Sequence, residues 1–156
     1  MTGKLKELSL VAEELRITRE RFAKLKGLYV KFVETAKKET QADTPPSVKV
    51  EGDPHTGIFI EYLDRRARLA FNVDDADAQG YVNVYDVTAP LWGFGQSEEH
   101  HKPFFSFSFN GSGTTNLLPT KLSETPTLLK ENDVLCIVLN IVDALLQQPR
   151  PSLRGY

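Results

Sequence analysis

The sequence predicts an α+β fold: a long N-terminal helix and a C-terminal helix packed on one face of an antiparallel sheet of about five or six strands. Three observations predict it. Apolar side chains recur at alternating steps of three and four through residues 1–40. The period then drops to two across residues 47–118. A wide apolar arc of helical period returns over residues 132–147, before a proline-rich tail at 148–156.

The helical seam is Leu8, Val11, Leu15, Thr18, Phe22, Leu25, Tyr29, Phe32 and Ala36, and it supports a helix from about Lys4 to Thr40. Lys37 and Lys38 fall in its last turn, where cations complement the helix dipole, and Pro45-Pro46 stops any continuation. Gly27 is the one weak helix former in the run, and a bend is expected there if anywhere. Such a helix measures about 50 Å. A domain of 156 residues has a diameter of about 40 Å. Either the helix bends near Gly27, or its exposed end meets a partner.

Ser47–Glu51 is a short strand candidate. Gly57–Leu63 and Ala67–Val73 read as a hairpin around Asp64-Arg65-Arg66. Ala67, Leu69, Phe71 and Val73 share one face, and Arg66, Arg68 and Asn72 the other. Tyr81–Val87 is a further strand, and Phe104–Phe109 another, with phenylalanines alternating with serines. Asn110-Gly111-Ser112-Gly113 is a turn signal, with a short return strand expected near Thr114–Leu117. Short turns between neighbours argue for an antiparallel meander. Asn132 or Asp133 can cap the last helix, and a strand over Val134–Leu139 is the competing reading because β-branched residues are frequent there.

Composition bounds the function. The 156 residues suffice for one domain with its own core, and the formal net charge of -2 gives no global attraction to nucleic acid or anionic membrane. A single cysteine, Cys136, excludes an intrachain disulfide and suits a reducing compartment. Met1–Glu7 carries no apolar core of signal-peptide length. Val134–Leu146 is too short to span a bilayer and contains Asn140 and Asp143. The expectation is a cytoplasmic protein without a membrane or nucleic-acid partner.

Motifs with chemistry are sparse. Asp75, Asp77, Gln79, Gly80 and Asp86 resemble an EF-hand calcium loop, which needs oxygen ligands at positions 1, 3, 5 and 12 and glycine at 6. The pattern departs at Gln79, a neutral ligand, and at Asp86, shorter than the usual glutamate, and its flanks read as strands. The alternative is an acidic turn closed by Gly80. The stretch Thr88–Lys102 is long for a loop and carries Trp92 and Phe94 among glycines, which suits either a recognition surface or a flap capping the core. Glu98, Glu99, His100 and His101 could bind metal together with His55, but lack metal-site spacing. Ser112 has no nucleophile-elbow context, and Cys136 sits in the most apolar segment, where a thiol is inert packing. Arg65, Arg66 and Arg68 form a small basic patch at a hairpin tip.

No catalytic constellation emerges, and no cofactor is implied. The expected function is therefore a non-enzymatic protein-interaction domain of adaptor, immunity or regulatory type, acting as a homodimer or with another protein. Its interface would use Leu8, Val11, Leu15 and Phe22 on the helix, with Trp92 and Phe94 on the loop. In a parallel dimer Glu14 and Arg19 would attract, whereas Arg21 and Lys26 would repel. The alternative is a small-ligand-binding protein or enzyme, with an apolar pocket between sheet and helices lined by Phe105, Phe107, Phe109, Tyr81, Tyr85 and Trp92.

Overall fold

The computed structural model describes residues 4–41, 47–74, 76–88, 102–118 and 125–149. Helix α1, Leu8–Thr40, runs unbroken for 33 residues, about 50 Å. Its first turn opens when the carbonyl of Glu7 accepts the amide of Val11. Arg16 joins Glu13 and Glu20 along its solvent face, i,i+3 and i,i+4 pairs that support an exposed helix. No bend occurs at Gly27, which lies on the exposed side with open space where a Cβ would stand. Gly27→Ala is therefore expected to raise stability by about 1 kcal/mol, read as a higher urea midpoint at unchanged slope; a lower midpoint would show that glycine is required there.

The sheet is an antiparallel meander with strand order β1-β2-β3-β4-β5. Its strands are β1 Lys49–Asp53, β2 Gly57–Tyr62, β3 Arg65–Asp74, β4 Gln79–Asp86 and β5 Phe105–Phe109. Period two divides the side chains: Ile58, Ile60, Ala67, Leu69, Val82, Val84, Phe107 and Phe109 are buried on the inner face. The β2–β3 turn is Leu63–Asp64, beginning one residue earlier than the expected Asp64–Arg66 turn and one residue shorter. The reason is Arg65, which is buried in the strand and ion-paired to Asp86. Gly80 sits opposite Phe109, whose ring occupies the place where a Cβ would project, with ring carbon 2.4 Å from that point. Phe109 thus covers the glycine across the strands.

Beyond β5 the expected return strand is reduced to single bridges, Phe109 to Thr115 and Thr114 to Thr127. Side chains replace ladder partners there: the Ser108 amide donates to the Asn116 side-chain oxygen, and the amides of Ser112 and Thr114 donate to that of Asn110.

Helix α2, Glu131–Gln147, replaces the competing strand over Val134–Leu139. Val134, Ile137, Val138, Ile141, Val142 and Leu145 form one buried helical arc. Lys130 occupies the N-cap position without a side-chain bond. Asp133, expected as a possible cap, is buried and accepts the Thr127 amide instead. Both helices lie against the inner face, and Leu25, Phe32, Ile60, Val84, Phe107 and Ile141 meet in the core between them. Among the described residues, no helix is long and apolar enough to cross a membrane.

Candidate interaction surface

All buried residues of α1 lie in its second half: Leu25, Tyr29, Phe32, Val33 and Ala36. The same seam continues towards the N-terminus without cover. Leu8 is 84 % exposed, Leu15 64 % and Phe22 42 %, while Val11 is half-buried. The first half of the helix therefore carries, on a rigid rod, four apolar seam residues that the sheet leaves partly or largely exposed, with Leu15 and Phe22 beside the end of β3 and Leu8 and Val11 preceding them. Thr18 is the polar interruption in that row.

Where the rod leaves the sheet, two clefts open and share Phe22. One, about 410 Å³, lies between Leu15, Thr18, Arg19 and Phe22 on α1 and Asn72 and Val73 on β3. The other, about 390 Å³, lies between α1, the Pro54–Thr56 turn and the Arg68–Phe71 stretch of β3. Phe22 lies 6.3 Å from the Phe71 ring, and Phe71 stacks on Tyr29 at 4.8 Å. Burial pushes the Tyr29 phenol well above its ordinary pKa. In the exposed turn beside the second cleft, the amides of Thr56 and His55 donate to Asp53 and hold its carboxyl below the usual carboxylate range. That contribution to the turn is present above the ordinary carboxylate range and is lost as pH falls through the lowered value.

The other expected sites fare differently. Trp92, Phe94, Asp75, His100 and His101 lie outside the described residues. Of the calcium pattern, Asp77 is in the β3–β4 turn, whereas Gln79 and Asp86 stand at opposite ends of β4. Seven residue steps of extended strand separate those two by roughly 23 Å. Asp86 is engaged by Arg65 at 3.0 Å, so Gln79 and Asp86 do not converge on one point. Among the described residues, no group of three or more His, Cys, Asp or Glu could hold a metal ion.

The expected aromatic pocket is divided by the sheet. Val82 pairs with Phe107 and Tyr81 with Ser108, which places Phe107 and Phe109 inside and Tyr81 and Tyr85 on the outer face. Phe107 packs edge-on to Phe32, with centroids 5.7 Å apart. Phe105, of that set, lines a cleft of about 300 Å³ with Leu117, Leu118, Pro126, Cys136 and Ile137. The Asn140 amide nitrogen lies 3.4 Å from the Cys136 Sγ.

The basic patch also divides. Arg66 and Arg68 are on the outer face, with guanidinium groups 4.0 Å from the Phe59 centroid and 5.4 Å from that of Tyr85. Arg65 faces inward, 3 % exposed. Its pair with Asp86 escaped the sequence reading, although a signal existed: Asp86 shares strand parity with Val82 and Val84, and Arg65 with Ala67 and Leu69.

Comparison of the chain with protein-family models, with curated proteins and with solved structures finds no match.

Proposed function

We propose that this chain is a non-enzymatic protein-interaction domain, acting as a homodimer or with a protein partner, and that it docks through the N-terminal half of α1. One observation carries the reading: a continuous helix holds Leu8, Val11, Leu15 and Phe22 in a seam that its own sheet leaves partly or largely exposed. Contiguous apolar side chains on a rigid element favour association.

The test is mass in solution, by light scattering, for the full chain and for a Leu8→Glu/Leu15→Glu variant. Both positions are exposed, so the variant leaves the core intact. Expected is a mass twice the 17.5 kDa of the chain, returning to that value in the variant. A wild-type monomer that captures a protein the variant loses supports the hetero-partner form. A monomer whose captured proteins are the same for both chains overturns the reading.

The small-ligand alternative draws support from the 300 Å³ cleft beside Phe105 and Ile137. A native mass spectrum with a bound small molecule, lost on Ile137→Glu substitution, would favour it.

A further inference from the structure

We propose that the groove between α1 and the unpaired end of β3 receives an extended, acidic and apolar segment of a partner polypeptide as an added strand. The proposal rests on the protein-interaction reading and names a second docking element for it.

The groove exists because two neighbouring strands differ in length. Ile58 pairs with Leu69, and β2 begins one residue earlier, at Gly57, where the chain comes in from the Pro54–Thr56 turn. β3 runs on to Asp74, with β4 alone beside it among the described strands. In an antiparallel strand, the amide and carbonyl of alternate residues face alternate neighbours. The Arg66 carbonyl accepts the Val87 amide from the β4 side, so Arg66, Arg68, Ala70 and Asn72 face β4. Phe71 and Val73 therefore face the open side. There the Val73 amide donates to the side-chain oxygen of the adjacent Asn72 at 2.9 Å, an acceptor that a rotamer change releases.

An exposed strand end of this kind is a template for strand addition, with main-chain bonds giving affinity and side-chain pockets giving selection. The α1 wall supplies Leu15 and Phe22 as apolar contacts. Charge selects the rest. Arg19 lines one cleft and Lys26 the other, and neither forms a salt bridge with a carboxylate among the described residues. A strand with apolar side chains towards α1 and carboxylates at its flanks satisfies the open main-chain groups and these cations together.

The probe is a short fluorescein-labelled peptide alternating glutamate and valine, titrated by anisotropy into the full chain, with amide exchange followed at Phe71 and Val73. Binding is expected, with slowed exchange at Phe71. Affinity is expected to fall about tenfold or more in an Arg19→Glu/Lys26→Glu variant and with a lysine-for-glutamate peptide. A peptide with proline at its central position should not bind. The proposal is overturned if the peptide fails to bind, if it binds without protecting Phe71, or if charge reversal leaves affinity unchanged. It is equally overturned if Phe71 is already protected without peptide in proportion to protein concentration, since a second copy would then fill the groove. Leu8 lines neither cleft, so light scattering on a Leu8→Glu single variant tests the seam without touching the groove, and the two readings fail separately.

Discussion

Asp86→Ala is expected to cost about 3–5 kcal/mol of folding stability, because it strands the Arg65 guanidinium in the protein interior. The side chains of Arg65 and Asp86 are 3 % and 7 % exposed. Each nitrogen of the Arg65 guanidinium donates: Nη2 to Asp86 at 3.0 Å, Nη1 and Nη2 to the Gln148 carbonyl at 3.2 Å each, and Nε to the Thr88 hydroxyl at 3.3 Å. Asp86 in turn accepts the Thr88 amide at 3.0 Å. Removing one charge from such a cage leaves the other without compensation. Removing both, as Arg65→Leu/Asp86→Leu, is expected to recover most of the loss, since a well-packed apolar replacement avoids the desolvation cost. Thermal melts should show Asp86→Ala lower by roughly 10 °C. A loss under about 1 kcal/mol would mean that water reaches the pair.

The second large effect separates two halves of one seam. Phe32→Ala is expected to lose about 3–5 kcal/mol, as a core phenylalanine does when truncated. Leu15→Ala, measured in dilute protein, is expected to stay within about 0.5 kcal/mol. Phe32 is 1 % exposed and packs against Tyr29 and Phe107, whereas Leu15 is 64 % exposed. Urea titration of the two variants decides it. Equal losses would show that the N-terminal half of α1 is covered in the isolated protein.

The seam positions illustrate what sequence could and could not supply. Spacing placed Leu15 and Phe32 on one helix stripe, and both are there. Spacing says nothing about where the sheet beneath the stripe ends, and that boundary decides which of the two is core. The strands were legible for a similar reason: alternation in Ala67-Leu69-Phe71 and Phe105-Phe107-Phe109 follows directly from the pleat. Arg65 was misplaced into the turn because arginine usually faces solvent, and only a partner 21 residues away makes its burial tolerable. The start of α2 is ambiguous in sequence because Val134, Ile137 and Val138 suit a strand by propensity. The tertiary arc against the sheet overrides that preference. The groove beside β3 was invisible, since it arises from a difference in strand length that neither strand records by itself.

Phe22 stands at a junction. It belongs to the uncovered seam of α1 and also to both clefts beside β3, and Leu15 shares the seam and one cleft with it. One ring cannot pack against a helix and against an inserted strand at once. Occupancy of the two surfaces would therefore be antagonistic: each ligand would weaken the other by the same factor, as thermodynamic reciprocity demands. A protein so built would exchange one partner for another as their concentrations changed, with no large rearrangement of its fold.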